Sequence, residues 1–418
     1  MSPDLAAHSD HHVSRSGPAT VALVGAEFGW GSSGKLSAVL SALRDRPAPP
    51  LRFVGLASGL GRPLLAEHAV DAWHDLPDDP GRLAPAVREF VRSQGVRAAV
   101  VVLDGAAATA LLAAGVPTVF VDSLPFLWSE GDRAALPLDA TVYCAQKSVE
   151  LPPECLDVLA DARALRWVEA VIAGPRAPEP APAGARRGTG RPYRRALVSL
   201  GGLRAPKLGD PEHYPSLVVP AALEALAAHG VEEVHVAGNL PADLAGRLVD
   251  ASIAPPRTTT GPLGHGAFLE RLADSDVLLT SPGLTTLLEA GGLHIPTVCL
   301  PPQNLSQIFN GRYHSQALGA PLRVRWPKDV LVEDGALALR SEGEDNALEL
   351  IYDSIGRAAV GDDHRAVRHA LRDGVLAALH RSTGVTDWGA LTTTIGTGGA
   401  GQVADALLGV LGAPDRPS

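Results

Sequence analysis

The sequence predicts an α/β protein built from two Rossmann-like, doubly wound domains that face a central cleft. Three observations lead there. At 418 residues the chain exceeds the usual scale of about 100 to 200 residues per domain. Short apolar runs recur between helical stretches, and uninterrupted runs of that kind belong to parallel strands buried on both faces. These runs fall into two series, separated by a segment dense in Pro, Ala, Gly and Arg that cannot build a core.

The elements follow in order. Residues 1–18 are polar and His-rich and are expected to be a disordered tail. Residues 19–172 form the first domain, with strands TVALVG, LRFVGLA, RAAVVVLD, PTVFVDS and DATVYCA and helices between them. Residues 173–192 read as a linker. The second domain, 193–385, carries RALVSL, EEVHVAG, a short connection to Thr258, DVLLT from Asp276 to Thr280, and PTVCL from Pro296. Within 386–418, Gly396, Gly398, Gly399 and Gly401 precede a helix at Gln402 to Leu411, and read as an anion-friendly helix start or, by preference, as a hinge that lets the last helices cross back onto the first domain.

The densest chemistry lies between Ser281 and Asn310. Ser281, Pro282 and Gly283 form the turn from a strand into a helix, where unpaired N–H groups and the positive end of the helix dipole suit a diphosphate. Thr285 and Thr286 add hydroxyls there. Glu289 lies about one helical turn further on the same face, placed to accept both ribose hydroxyls of a nucleotide. Gln303, Asn304, Gln307 and Asn310 crowd amides into the next loop and helix start, and amides suit sugar hydroxyls because each both donates and accepts.

Each domain also opens on a glycine loop. Gly29 to Lys35 matches GxxxxGK after a strand and before a helix, as a P-loop would, with VVVLD (Val100 to Asp104) imitating its acidic strand. Leu36 argues against that reading, since a hydroxyl for magnesium should stand there. Lys35 reads either as a solvated first-turn side chain or as a cleft group. In the second domain Gly201 and Gly202 permit close backbone approach, and Arg204 or Lys207 can neutralise phosphate or carboxylate charge.

This segment order, with Gly283, Thr285, Glu289, Pro301, Gln307 and Asn310 at matching places, resembles the donor-binding signature of GT-B glycosyltransferases. The resemblance implies a GT-B fold and a UDP-sugar donor bound in the second domain, with the base cradled by the backbone around Leu263. It implies no cofactor and no metal, because a helix start and a cation stabilise the leaving diphosphate. Gly29, Gly31, Ser32, Ser33 and Gly34 then correspond to the family's glycine loop beside the acceptor. His265, within GPLGHG, reads as a mobile loop or capping residue.

Acceptor chemistry is expected at strand ends of the first domain. Glu27 and Asp122 lead as general bases, with His74 and Asp104 behind them, and each has a plainer reading as a cap or surface charge. Phe126 and Trp128 offer aromatic faces for a flat acceptor, or simply pack. VALVGAEFGWGSSGKL, VDSLPFLW and SPGLTTLLEAGG together resemble the cytosylglucuronate synthase family of nucleoside-antibiotic pathways. That resemblance implies inverting transfer of glucuronic acid from UDP-glucuronate to N1 of cytosine or an analogue, with Arg204 or Lys207 facing the sugar carboxylate and Glu27 or Asp122 acting on cytosine. Alternatives are an epimerase or hydrolase of the same fold, a non-catalytic nucleotide-binding paralogue, and a P-loop NTPase.

Composition bounds the partners. Lys and Arg total 36 against 46 Asp and Glu, a net charge of −10, which disfavours nucleic acid. No stretch offers the ~18 uninterrupted apolar residues of a membrane span, and the N-terminus lacks a signal-peptide core, so a cytoplasmic protein is expected. The expected partners are small molecules, a UDP-sugar and an acceptor such as cytosine, with homodimerisation left open. Cys144, Cys155 and Cys299 are too few and scattered for a disulfide framework or a cysteine-based zinc site.

Overall fold

A seven-stranded, all-parallel sheet forms the first domain: β1 (Ala19–Gly25), β2 (Leu51–Leu56), β3 (Val70–His74), β4 (Val96–Val102), β5 (Thr118–Asp122), β6 (Val142–Gln146) and β7 (Leu165–Val168), in the order β3-β2-β1-β4-β5-β6-β7. The computed structural model describes residues 17–57, 59–77, 79–173, 193–205, 208–342 and 344–412. The second sheet is also parallel: β8 (Arg195–Gly201), β9 (Glu233–Gly238), β10 (Arg257–Thr260), β11 (Val277–Thr280) and β12 (Thr297–Cys299), in the order β10-β9-β8-β11-β12. Both orders reverse beside the first strand, between β1 and β4 and between β8 and β11, the place where doubly wound sheets open a crevice for ligands.

The helices of the first domain are α1 (Gly31–Arg44), α2 (Pro80–Gln94), α3 (Gly105–Ala113) and α4 (Pro153–Leu159). The second domain adds α5 (His213–His229), α6 (Ala242–Asp250), α7 (His265–Asp274), α8 (Leu284–Gly292), α9 (Leu305–Ala317), α10 (Glu333–Ala338), α11 (Glu344–Val360) and α12 (His364–Ser382). After these come α13 (Ala390–Ile395) and α14 (Gly399–Gly412). All seven residues of β1 are buried, as expected for a strand with helices on both faces.

Thr392 Oγ1 of α13 donates to the Leu288 carbonyl of α8 at 2.9 Å, so α13 belongs to the second domain. From there α14 crosses to the first, where Val403, Ala404 and Leu407 share one core with Val21, Leu23 and Val100. The glycines before it serve a tight junction. A Cβ on Gly399 would lie 2.1 Å from the Glu169 carbonyl oxygen, and the backbones of Ala170 and Gly399 are hydrogen-bonded at 3.1 Å. The hinge expected at these glycines is therefore a packed crossing.

Several boundaries differ from expectation. Strands β3 and β7 arise where the pattern suggested helix or loop, because edge strands are half-exposed and lack a continuous apolar run. Strand β11 starts at Val277, and Asp276 instead accepts the Arg194 and Arg195 N–H groups at 2.9 Å each. Helix α14 begins three residues earlier than the expected Gln402. The tail at 1–16, the linker at 174–192, and Lys207 lie outside the described residues. Among the described residues, no helix is long and apolar enough to cross a membrane.

Candidate functional site

A cavity of about 380 Å³ lies between the sheets and is walled by both domains, chiefly by the loops leaving β1, β5, β8 and β11. Helices α1 and α8 both start at its edge, and no side chain caps either start. Their first-turn N–H groups therefore offer a double anion cradle. Gly29, Gly31, Ser32 and Gly34 line it from the first domain, and Gly283, Thr285 and Thr286 from the second. Ser33 does not reach the cavity; it is buried against Gly61, where a Cβ would lie 1.9 Å from its Oγ. Tyr214 Oη donates to the Pro301 carbonyl and bonds Ser281 Oγ, at 2.8 Å each, which pins the turn into α8.

Lys35 closes this cradle from above. Its side chain is buried and its ammonium donates to Thr285 Oγ1 across the domain boundary. Burial pulls its pKa down to about 8, with the nearby Glu289 carboxylate opposing the fall. The solvated reading of Lys35 is thereby excluded.

Glu289 is buried rather than open to the cavity on all sides. Its Oε1 lies 2.7 Å from His265 Nε2, while Oε2 has no protein partner among the described residues. His265 Nδ1 in turn lies 2.8 Å from Ser37 Oγ, and the same hydroxyl lies 2.7 Å from His68 Nε2. A chain of hydrogen bonds thus runs from the second domain into the first. The reading of His265 as a mobile loop residue is corrected: it opens α7, is 5% exposed, and holds Glu289 in place. Burial disfavours its charge, but the Glu289 carboxylate outweighs this and holds the pKa above the ordinary value. Neither Ser37 nor His68 carries any motif that marks it in the sequence.

The amides divide by role. Asn304 is the cap of α9, its Oδ1 accepting from Gln307 N at 2.9 Å and Ser306 Oγ at 2.8 Å, so it does not face the cavity as expected. Gln307 Oε1 accepts the Gln303 N–H at 2.9 Å, which leaves its amino group for the cavity that both residues line. Asn310 donates to the Pro282 carbonyl at 2.9 Å, and its buried Oδ1 has no partner among the described residues. An orphaned acceptor on a cavity wall is an opening for a ligand donor.

The two glycine loops touch. Gly29 N donates to the Arg204 carbonyl at 2.8 Å, with Gly29 at φ +63°, a conformation that favours glycine. A Cβ on Gly202 would lie 2.8 Å from the Gly29 backbone. Gly201, Gly202 and Arg204 line the cavity, the last with its side chain exposed, and Leu263 lines it further along.

The acceptor-side candidates fare differently. Asp122 is fully buried and accepts from Trp128 Nε1 at 2.6 Å, Tyr143 Oη at 2.9 Å and Leu124 N at 3.0 Å. Burial raises its pKa to about 6 against those bonds. It braces the loop that carries Trp128 and does not reach the cavity. Glu27 likewise turns away, accepting the Leu60 N–H at 3.2 Å, and Asp104 caps α3 through Ala107 N at 2.9 Å. Phe126 is core, its ring 5.5 Å from those of Phe309 and Tyr313, whereas Trp128 lines the cavity. A cavity-lining carboxylate that motif reading passed over is Glu344, at the start of α11.

Among the described residues no cluster of three or more His, Cys, Asp or Glu side chains is arranged to hold a metal ion. No family model matches the sequence, and no curated protein matches it. Solved structures do match in fold. The UDP-GlcNAc 2-epimerase of Methanocaldococcus jannaschii, solved with UDP-GlcNAc and UDP, superposes with a TM-score of 0.54 at 12% identity over 94% of this chain and 99% of its own. MnaA of S. aureus with UDP gives 0.52 at 10% identity over 92% and 94%. A UDP-glucose: anthocyanidin 3-O-glucosyltransferase with UDP gives 0.50 at 14% identity over 94% and 99%. The fold is GT-B.

Proposed function

We propose that the protein is a glycosyltransferase that binds the diphosphate of a UDP-sugar between the starts of α1 and α8. The observation that carries this reading is the buried Lys35 ammonium bonded to Thr285 across the cleft, a fixed positive charge over an uncapped helix start. Thr286 and the α8 N–H groups complete the phosphate contacts. Glu289 Oε2 accepts the ribose hydroxyls, Leu263 borders the base, and Gln303, Gln307 and Asn310 face the sugar.

The finer reading is transfer of glucuronic acid from UDP-glucuronate to N1 of cytosine or a cytosine analogue, with inversion and without metal. In that step the N1–H proton leaves, N1 bonds to C1, and the C1–oxygen bond to the diphosphate breaks to release UDP. Arg204, exposed on the cavity wall, pairs with the sugar carboxylate, and Trp128 stacks on the flat acceptor. On this reading the protein works in the cytoplasm on two small molecules. Incubation with UDP-glucuronate and cytosine in EDTA should release UDP and form an N-linked conjugate detectable by mass spectrometry. Release of UDP with free glucuronate alone, for every cytosine analogue, would reject the acceptor.

A second reading, epimerisation or hydrolysis of a UDP-sugar, is favoured by the His265–Glu289 pair, a titratable couple on the cavity wall. Conversion of a UDP-sugar to its epimer with no acceptor present would decide for it.

A further inference from the structure

The acceptor side of the cavity lacks an evident base once Glu27 and Asp122 are seen to be engaged elsewhere. Only two carboxylates line the cavity among the described residues, Glu289 and Glu344, and Glu289 is held by His265. Glu344 has no hydrogen bond or ion pair among the described residues, although most of its surface is buried. An unpaired carboxylate in that setting is costly unless a ligand uses it.

Its placement is fixed by a neighbour. Arg340 donates to the Phe126 carbonyl at 2.8 Å and pairs with Glu154, which ties the approach to α11 to the loop bearing Leu127 and Trp128. Glu344 therefore lines the cavity where the second domain meets the aromatic wall of the first. We propose that Glu344 is the catalytic base that takes the proton from the N–H or O–H of the acceptor. The electron pair freed on the acceptor forms the bond to C1 of the sugar, the bond from C1 to the diphosphate breaks, and the proton on Glu344 passes to solvent after UDP leaves. This rests on the transferase reading above.

The electrostatics suit the task. Burial pushes the Glu344 pKa up to about 7, and Asp132 from the facing loop and Asp345 on its own helix push the same way. Tyr352 on α11 feels the Glu344 charge in return and stays a neutral phenol, its pKa raised first by burial. A base with a pKa near the working pH is the most effective proton acceptor.

The test compares wild type, Glu344→Gln and Glu344→Asp with UDP-glucuronate and cytosine, measuring conjugate formation across pH and UDP binding by calorimetry. Glu344→Gln should lower kcat about 100-fold or more with UDP affinity unchanged, and should lose the rise in rate near neutral pH. Glu344→Asp, one methylene shorter, should recover part of the rate. Transfer by Glu344→Gln within about threefold of wild type would overturn the base role and leave the transferase standing. Wild type that binds UDP but forms no conjugate with any N–H or O–H acceptor would overturn the transferase reading, and the base role with it.

Discussion

The imidazole Nδ1 of His265, in the second domain, lies 2.8 Å from the hydroxyl of Ser37 in the first. Its other nitrogen lies 2.7 Å from Glu289. The Glu289 carboxylate and the opposite domain are thus joined through one ring, and the strength of that link depends on the charge of the ring.

That coupling gives a pH dependence with a definite sign. Burial works against the His265 charge, yet Glu289 holds the pKa above its ordinary value of 6.5. A pKa raised on folding contributes stability that is fully present below the unfolded value and is lost as pH rises through the folded one. The Tm difference between wild type and Glu289→Gln should therefore be widest below about pH 6.5 and shrink on the alkaline side. His68, its pKa lowered by burial to about 4, acts in the opposite sense but is common to both proteins. A Tm difference that stays flat across this range in thermal melts would separate the His265–Glu289 pair from the stability of the fold.

Removal of the carboxylate altogether should be felt by the donor. Glu289→Ala takes away the ribose acceptor and leaves His265 without its partner, so UDP should bind about tenfold or more weakly, from a charge-assisted bond worth roughly 1.5 to 3 kcal/mol. Titration calorimetry with UDP reads this directly; unchanged affinity would remove the ribose role.

Lys35 is assigned to phosphate rather than to base or sugar. Lys35→Met should weaken UDP by about tenfold and uridine hardly at all, since only the former carries the charge. Leu36 stands where a magnesium-ligating hydroxyl would be needed, so neither protein should hydrolyse ATP. Magnesium-dependent ATP turnover lost in Lys35→Met would restore the P-loop reading.

Gly202→Ala tests the touching loops. The added methyl would meet the Gly29 backbone at 2.8 Å, and relieving that clash requires one of the two loops to shift. Overpacking of this kind costs about 1 to 3 kcal/mol, so turnover and donor affinity should both fall while the far-UV spectrum stays native. Wild-type kinetics in this variant would mean that the loop contact is not needed for activity.

Arg204→Ala addresses sugar choice. If the guanidinium pairs with a carboxylate, the preference for UDP-glucuronate over UDP-glucose in kcat/KM should fall about tenfold, chiefly through loss of the charged donor. Equal losses for both donors would assign Arg204 to the diphosphate instead.

Local pattern carries the sheets and the donor helix well. The runs at β1, β4, β8 and β11 are largely buried, and the turn at Ser281–Gly283 leads from strand into helix where the sequence pattern puts it. What stays hidden in the sequence depends on contacts between distant segments. Nothing near His265 announces that it meets Glu289, 24 residues away, or Ser37, 228 residues away. Asp122 shows the reverse error: its place at a strand end suggests a catalyst, yet three donors from its own domain occupy its carboxylate. Glu344 follows no motif at all, and its place beside the Trp128 loop comes only from the packing of α11's approach against Phe126.

The crossing of α14 also bears on the order of synthesis. Val403 and Leu407, with Ala400, Ala404 and Ala406 of the same helix, complete a core whose remaining members, from Val21 to Val171, leave the ribosome far earlier. Until residues near 412 emerge, the part of that sheet face that α14 covers is an open apolar surface beside α1, and chains otherwise fold from the N-terminus as they are made. The first domain therefore acquires its final stability only after the second has been translated, so nascent chains that stop before α14 should be captured by chaperones or degraded even though every strand of both sheets is present.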